Sequence, residues 1–213
     1  REIPRLVSTL QPIPGVATIG RGLRAIAAPV VKRMTSPKYA SVLEYGDDYG
    51  GAYLLRRGLY MPWELTDVLD PNLVKAGWDA LEPRLRLQET ISDIQSDHLR
   101  VTALESNWYM RNQLLRDTDW ASMTHSLEVR TPLVDWNLLK QVAPLVARHG
   151  LTKKDMARTP KKPLPEDLLN RPKSGFTVPV REWLLGDRPE YASARGLRGW
   201  AQYVYDKHWE AGA

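Results

Sequence analysis

A segment near the middle of the chain, residues 111–135, gathers charged and hydroxyl side chains at a predicted helix end and in the loop after it. They are Arg116, Asp117, Asp119, Ser122, His125, Glu128 and Arg130. On a helix, Arg116 and Asp119 share one side, and in an extended segment Glu128 and Arg130 point the same way. Such a set could position a polar substrate. Salt bridges at a solvated helix end explain the same residues, and composition alone favours that interpretation.

A second segment, "RPKSGFTVPVREWL" (171–184), holds one lysine between two prolines. Arg171 precedes a proline and is therefore expected to be extended, while Gly175 permits backbone angles that other residues resist. Lys173 in such a loop would be a fixed cation with three donors, which suits a phosphate or pyrophosphate group. An exposed lysine in a turn is the ordinary alternative, and without further information it is preferred.

Paired acids beside glycines form a third candidate, "YGDDYGGAY" (45–53). These carboxylates could bind a magnesium ion through water. An acidic turn between two helices explains the same residues, and we prefer that interpretation. His125 is likewise assigned a structural hydrogen bond, because the sequence contains no HxH, HExxH or Cys/His spacing that would recruit it to a metal.

Composition narrows the class of protein. The 213 residues suffice for one large domain or two small ones, and 43% of them are hydrophobic. The absence of cysteine excludes disulfides and thiolate metal sites, and no run resembles a membrane span or a signal peptide, so a cytoplasmic location fits best. A scattered net charge of +5 argues against nucleic-acid binding. Because the chain begins at Arg1 and its first methionine is Met34, we expect a piece of a longer protein.

Helical periodicity is found almost throughout, whereas strand patterns are poor. Two long helices are predicted, at 18–34 with Thr18 as N-cap and from Ser96 to about residue 117. The residues expected on their buried faces are Ile19, Leu23, Ile26, Val30, Val101, Leu104, Trp108 and Leu115.

Shorter helices are predicted towards the C-terminus. One follows Asp135 as N-cap, is kinked or shortened by Pro144 and ends at Gly150. Three more are predicted at 165–170, 178–185 and 196–210. The residues expected on buried faces of these helices are Leu138, Leu139, Val142, Val146, Trp183, Leu197, Trp200 and Val204.

Taken together, the first two segments resemble the asparagine synthetase family. "LLRDTDWASMTHSLEVRTPLVD" is similar to the family's helix reading roughly D-R-x-S-M, followed by S-x-E-x-R-x-P-F-L-D. "LPEDLLNRPKSGFTVPVREWL" is similar to its segment L-P-x-x-I/V-L-x-R-P-K-x-G-F-x-x-P. The residues that match the first motif are Asp119, Ser122, Met123, Ser126, Glu128, Arg130, Pro132 and Asp135. Both motifs stand in the family's order and cover residues 104–185.

Some features of the family are changed or missing. Trp120 stands where the family commonly has a basic residue, and Leu133 and Val134 replace Phe-Leu. The sequence lacks the family's Ser-Gly-Gly-x-Asp-Ser ATP loop, its G-G-D-E-L-F-G-G-Y motif and its glutaminase domain with an N-terminal cysteine. We do not equate "GDDYGGAY" with the second of these, since no buried-strand pattern precedes it; "REIPRL" is expected to follow the true motif.

The resemblance implies a mainly α chain that forms the helical C-terminal portion of an α/β domain. That domain would be adenine nucleotide alpha hydrolase-like, a PP-loop ATP pyrophosphatase, with its parallel sheet outside this sequence. Residues 1–95 would be a helical region without diagnostic motifs, and residues 96–213 the asparagine synthetase-like region. The implied partners are the missing PP-loop half and glutaminase domain, and a homodimer stays open.

The resemblance also implies a reaction. Members of the family activate the side-chain carboxylate of aspartate with ATP and Mg²⁺, and ammonia from glutamine then attacks the acyl adenylate. Lys173 occupies the position of the family's catalytic lysine, which acts on the pyrophosphate, with Pro172 and Gly175 shaping its loop. The residues assigned to substrate binding or site support are Arg116, Asp119, Glu128 and Arg130. No metal ligand is assigned in this chain, and the chain alone is expected to be inactive.

Three function classes stay open. The first is the amide-forming ligase. The second is a relative with another acceptor, such as a β-lactam synthetase-like enzyme or one that amidates a sugar acid. The third is a non-catalytic helical interaction module that keeps the motifs for packing, and a nucleic-acid-binding module is a distant fourth.

Overall fold

The computed structural model describes residues 2–172, 179–192, 194 and 196–208, and every regular element among them is helical. The prediction of a mainly α chain is therefore confirmed. The chain divides into two compact units, one of Arg1–Ser92 with Thr177–Ala213 and the other of Asp93–Phe176. Within the described ranges, no helix has the length and apolar character needed to cross a bilayer.

The first unit is built from the N-terminal helices and from the last ones. Its N-terminal elements are α1 (Glu2–Leu10), α2 (Val16–Met34), a 3₁₀ segment (Pro37–Ser41), α3 (Val42–Tyr45), α4 (Tyr49–Arg57), α5 (Pro62–Leu65), α6 (Pro71–Leu81) and α7 (Pro83–Glu89). The elements of the second unit are α8 (Asp97–Leu104), a π-helical segment (Glu105–Leu115), α9 (Arg116–Met123), α10 (Trp136–His149), α11 (Lys153–Arg158) and α12 (Glu166–Asn170). The chain then returns to the first unit with α13 (Val180–Asp187), α14 (Pro189–Ala192) and α15 (Arg198–His208).

Local sequence signals begin most helices of the first unit. Proline stands in the first turn of the 3₁₀ segment and of α5, α6 and α7, where its missing N–H costs nothing. Asp48 caps α4 by accepting the N–H of Gly51 at 2.6 Å, and Asp70 caps α6 in the same way. These helices surround a core of Tyr45, Leu55 and Met61, of which Met61 is fully buried.

The helix predicted at 18–34 is confirmed as α2, but the predicted buried face is wrong. Its N-cap is Gly15 in the left-handed region, not Thr18. The helix packs instead through Gly20, where an added Cβ would lie 2.5 Å from the backbone nitrogen of Glu44. A glycine therefore lets the backbones of α2 and α3 approach closely. The apolar residues left exposed are Ile19, Leu23, Ile26, Val30 and Met34.

A buried carboxylate also binds α2 to α3. Glu44 accepts hydrogen bonds from Nε of Arg24 at 2.7 Å and from Nε of Arg21 at 3.3 Å. The guanidinium of Arg24 lies 4.8 Å from the ring centre of Trp63. Because Glu44 is buried, these two arginines supply the charge and donors that its desolvated carboxylate needs.

A second buried ion pair holds the returning chain on the first unit. Nη1 of Arg198 lies 2.6 Å from Oε1 of Glu64, with 10% and 4% of the two side chains exposed. The other oxygen of Glu64 accepts the N–H of Met61 at 2.9 Å. The guanidinium lies 4.5 Å from the ring centre of Tyr60, whose hydroxyl donates to the carbonyl of Arg198 at 3.2 Å. This set of contacts joins α5 to α15.

In the second unit, the long predicted helix is confirmed and extends further. It begins after Ser96, whose hydroxyl makes no capping bond, and continues through the π-helical segment to Met123. Leu104 is fully buried, and the other three residues expected inside are partly buried.

Three other predicted buried faces are wrong. On α10, Asp135 caps the helix and Gly150 ends it as predicted, and Pro144 lies inside without ending it. Of its predicted core residues, Val146 is partly buried, but Leu138, Leu139 and Val142 are exposed. Leu197, Trp200 and Val204 on or beside α15 are exposed as well, and so is Trp183 on α13, at 58%. Arg198, Gly199 and Leu184 are buried in their place. Helical periodicity identifies the residues that share a face, but it does not show which neighbour covers that face.

Replacing Gly20 with alanine tests the close contact between α2 and α3. The new Cβ would meet backbone atoms that cannot move aside, so Gly20→Ala should lower the free energy of unfolding by about 1–3 kcal/mol. Gly22→Ala is the matched control, since nothing lies within 4 Å of its Cβ position. That substitution should stabilise α2 by up to about 1 kcal/mol. Chemical denaturation measures both, and equal effects of the two substitutions would contradict the contact.

Candidate active-site segments

The charged end of the first segment lies on α9. The guanidinium of Arg116 is 4.9 Å from the ring centre of Trp120, one helical turn away. Trp120 replaces the basic residue that the resemblance leads one to expect, and here its ring is a stacking partner for Arg116. A cation–π contact at an exposed site contributes about 0.5–1 kcal/mol and fixes the direction of the guanidinium.

The end of α9 is shaped by a residue with positive φ. Ser126 has φ 55°. The N–H of Leu127 donates to the carbonyl of Ser122 at 3.0 Å, and the N–H of Ser126 donates to the carbonyl of Met123 at 2.9 Å. This pair of bonds is the Schellman pattern, which usually has glycine at the position of Ser126. This helix end could not be predicted from the sequence, because serine is not a residue type that favours a left-handed backbone.

Beyond this end, Glu128 and Arg130 lie in a segment without regular secondary structure, and their side chains contact each other, as their predicted shared direction requires. Nε of Arg130 donates to Oε1 of Glu128 at 3.1 Å, and both side chains are exposed. An exposed pair of this kind contributes little to stability. Both groups are therefore available to a ligand at small cost to the fold.

The last residues of the first motif set the chain direction. The N–H of Val134 donates to the carbonyl of Thr131 at 2.9 Å, which closes a turn with Pro132 at its second position. Asp135 then accepts the N–H of Leu138 at 2.7 Å and caps α10. Pro132 and Asp135 thus have structural roles that their residue types explain.

The second motif begins on α12, which is tied to α11 by polar contacts. Nζ of Lys154 donates to the amide oxygen of Asn170 at 2.8 Å, and Arg158 pairs with Glu166 at 3.3 Å. α11 itself begins with a capping box, and hydrogen bonds from Thr152 lower the pKa of Asp155. The Thr-x-x-Asp spacing of Thr152 and Asp155 indicates the start of this helix, which was not among the helices predicted above.

The loop that contains Lys173, which we call the lysine loop, is described by the structure only at its two ends. Arg171 is extended, with φ −58° and ψ 129°, and Pro172 is exposed. Lys173 and Gly175 lie outside the described residues. The helix predicted after the loop is confirmed as α13, which has Pro179 as its N-cap and buries Leu184.

The predicted site residues of the second unit are only partly in contact with one another. Glu128 bonds to Arg130, whereas the contact of Arg116 is with Trp120. Across the described ranges, no group of three His, Asp or Glu side chains is arranged to hold a metal ion. In the third candidate segment, residues 45–53, Asp48 caps α4 and pairs with Arg84. The preferred interpretation, an acidic turn between two helices, is therefore confirmed.

The first unit contains a cleft that was not predicted from the sequence. Its volume is about 610 Å³, and Tyr60, Trp63, Glu64 and Arg198 form part of its wall. Lys38 lies near these groups, and its pKa is lowered by burial and by the positive charges of Arg198 and Arg56. Pro62 and Glu64 indicate the start of α5 in the sequence. No local pattern connects Glu64 with its partner Arg198, because the two residues are far apart in the chain.

Comparison with protein families matches the chain to the family described as asparagine synthase over residues 31–202. The match includes both motifs and most of the region before residue 96. No solved structure matches the chain.

Curated relatives are similar over shorter stretches. A protein named asparagine synthetase (glutamine-hydrolyzing) 1 of Bacillus subtilis (strain 168) is 31% identical over 106 residues, which are 48% of this chain and 17% of the relative. A putative asparagine synthetase (glutamine-hydrolyzing) of Mycobacterium bovis is 31% identical over 160 residues, which are 70% of this chain. A protein of Mycobacterium tuberculosis with the same name matches equally. The chain spans 22% of the length of these two.

Ser126→Gly tests the left-handed end of α9. Removing the Cβ relieves the cost of positive φ, which is roughly 1–2 kcal/mol, against a smaller entropic loss, so the free energy of unfolding should rise by about 0.5–1 kcal/mol. Ser122→Gly is the control, because a glycine inside α9 should lower the free energy of unfolding by about 0.5–1 kcal/mol. Chemical denaturation measures both. Equal destabilisation by the two glycines would contradict the assigned helix end.

Proposed function

Because the chain belongs to the asparagine synthase family, we propose that it is the helical C-terminal part of an ATP-dependent amide-forming ligase. The observation that carries the proposal is the family match over residues 31–202, which includes both motifs in their order. The similar proteins are named as glutamine-hydrolysing asparagine synthetases, which supports aspartate as the carboxylate and glutamine as the source of ammonia. The ATP-binding sheet of a PP-loop domain and the glutaminase domain would be contributed from outside this chain.

The reaction has two balanced steps. A carboxylate oxygen attacks the α-phosphorus of ATP, and the bond to pyrophosphate breaks to leave an acyl adenylate. Ammonia then attacks the acyl carbon, loses a proton and expels AMP, which keeps the carboxylate oxygen. Negative charge grows on the pyrophosphate during the first step, so a cation held at that position stabilises the transition state more than the ground state.

Lys173 is the residue to which we assign this cation. Its motif position, after Arg171 and Pro172 and before Gly175, is that of the family's lysine. The described residues that flank the motif agree with the sequence interpretation, since Arg171 is extended and α13 begins soon after the loop. A cation that is already in place when negative charge develops stabilises that charge without reorganisation.

The exposed charges of the first motif are assigned to substrate positioning or site support. They are Arg116, Asp119, Glu128 and Arg130. The Glu128–Arg130 pair is exposed and contributes little to the fold, which supports a role outside it. The described residues do not form a set that fits Mg²⁺, and we assign binding of the ion to the part of the domain outside this chain.

One observation favours a second candidate with a different amide acceptor. Trp120 replaces a basic residue, and its ring is engaged with Arg116. A substrate contact of the usual family members would then be missing, which suits β-lactam synthetase-like ring closure or amidation of a sugar acid. Mass spectrometry of the products formed from a panel of carboxylates distinguishes these acceptors from aspartate.

Lys173→Ala in the complete protein tests the assignment of the catalytic cation. Carboxylate-dependent exchange between ATP and pyrophosphate should fall by about 10²-fold or more, the usual effect of removing one group that stabilises transition-state charge. The melting temperature should stay unchanged. Lys162→Ala, in a nearby exposed segment, is the matched control and should exchange normally. Near-normal exchange by Lys173→Ala would overturn the assignment.

A further inference from the structure

The cleft of the first unit has a size and a lining that are typical of a ligand site. Its volume is about 610 Å³, and small-molecule pockets have volumes of roughly 300–1,000 Å³. Residues of α2, the 3₁₀ segment, α5 and α15 contribute to its wall, among them Ala28, Pro37, Trp63 and Arg198. No described residue of the three candidate segments lines it. The cleft is therefore a site that the sequence motifs do not explain.

Two aromatic rings in the wall are held in place by hydrogen bonds. The indole N–H of Trp63 donates to the hydroxyl oxygen of Ser41 at 3.2 Å, and the guanidinium of Arg24 lies over the same indole ring. The hydroxyl of Tyr60 donates to the carbonyl of Arg198 at 3.2 Å. Rings that are already ordered lose little conformational entropy when a ligand binds. The wall thus provides a preformed apolar surface.

The wall also contains a buried guanidinium with an unused nitrogen. The side chain of Arg198 is 10% exposed, and its Nη1 is paired with Glu64. Its Nη2, which carries two N–H donors, is buried and has no hydrogen-bond partner among the described residues. Folded proteins rarely leave a buried donor without an acceptor, because the unmade bond is costly. An acceptor that enters the cleft from outside the chain would remove this cost.

The charges around the cleft favour an anion with a single charge. Burial lowers the pKa of Lys38, and the positive charges of Arg198 and Arg56 lower it further. The opposing effect of Glu64 on this pKa is smaller, so the surroundings of Lys38 have an excess of positive charge that an anion would offset. Asp67 and Glu64 are acids of the wall itself. Their repulsion acts more strongly on a doubly charged anion than on a singly charged one.

We propose that this cleft is a binding site for a small carboxylate with an apolar body. The carboxylate accepts hydrogen bonds from Nη2 of Arg198, and exposed Lys32 adds a second cation of the wall. The apolar body lies against Trp63 and Tyr60. Because Nη2 is buried, the side chains over it rotate when the ligand binds, as side chains at binding surfaces commonly do. The proposal does not depend on the ligase assignment, since no described residue of the two family motifs takes part.

Ligand-observed NMR titration of the complete protein tests the chemistry of the ligand. Benzoate and hexanoate should bind with dissociation constants in the millimolar range or tighter. Benzamide, which has the shape of benzoate without its charge, and benzamidine, a cation of the same shape, should bind at least about tenfold more weakly. Phenyl phosphate, which is doubly charged above neutral pH, should also bind more weakly than benzoate. Failure of both carboxylates to bind, equal binding of benzamidine, or tighter binding of phenyl phosphate would overturn the proposal.

Filling the cleft shows whether the carboxylate binds there. Ala28→Phe places a ring in the wall and should weaken benzoate binding at least about tenfold, because the ring takes up volume that the ligand needs. Ala25→Phe makes the same change at an exposed position of α2 outside the wall. This matched control should bind benzoate as the unchanged protein does. Equal benzoate affinities of the two variants would mean that the carboxylate binds elsewhere and would contradict the proposal.

Two further substitutions test the donors. Arg198→Lys keeps the charge that Glu64 requires but has no second terminal nitrogen, so benzoate should bind at least about tenfold more weakly. Lys32→Met removes an exposed cation of the wall and should weaken binding about threefold without lowering the melting temperature. Lys75→Met, at an exposed position of α6 outside the wall, is its control and should bind normally. This lysine pair decides the test if Arg198→Lys or Ala28→Phe does not fold, and equal binding by the two methionine variants would overturn the proposal.

Discussion

The buried ion pair between Arg198 and Glu64 is the constraint on which the first unit depends. The second unit is inserted between Ser92 and Thr177, so the chain must return to its starting unit after a long excursion. The ion pair and its contacts with Tyr60 fix α15 to α5 at that return. Removing one partner of such a pair leaves an unpaired buried charge and costs about 3–5 kcal/mol. The returning segment, which the ion pair fixes through α15, begins with α13 directly after the lysine loop.

The two units are stabilised by different means. The first has a core around Met61 and two buried carboxylates, Glu44 and Glu64, each paired with arginine. The second is held by caps, turns and exposed polar contacts, and it buries Leu104 alone among its described large hydrophobic residues. Its helices are therefore well specified by local signals, although among the described residues α10 exposes Leu138, Leu139 and Val142.

Local signals in the sequence predicted much of this fold. Asp135 and Gly150 bound α10 as expected, and the two-residue spacing of Glu128 and Arg130 predicted their orientation. Which faces are buried could not be predicted, because periodicity contains no information about neighbours: α2 packs through Gly20 and exposes its larger residues. The pairing of Glu64 with Arg198 joins residues that are far apart in the sequence, so no local pattern predicts it. The stacking of Arg116 on Trp120 involves a residue that departs from the family motif, so the motif does not predict it. The assignment of Lys173 rests on the motif, since the structure describes only the flanks of its loop.

The central claim is that the complete protein transfers AMP to a carboxylate before an amide forms. It is tested most directly by supplying aspartate labelled with ¹⁸O in its side-chain carboxylate, together with ATP and an ammonia source. The account predicts that one ¹⁸O atom from each carboxylate appears in AMP, because the oxygen that attacks the α-phosphorus leaves with the nucleotide when ammonia attacks the acyl carbon. Label in inorganic phosphate with ADP as the nucleotide product would mean activation at the γ-phosphorus and would contradict the account.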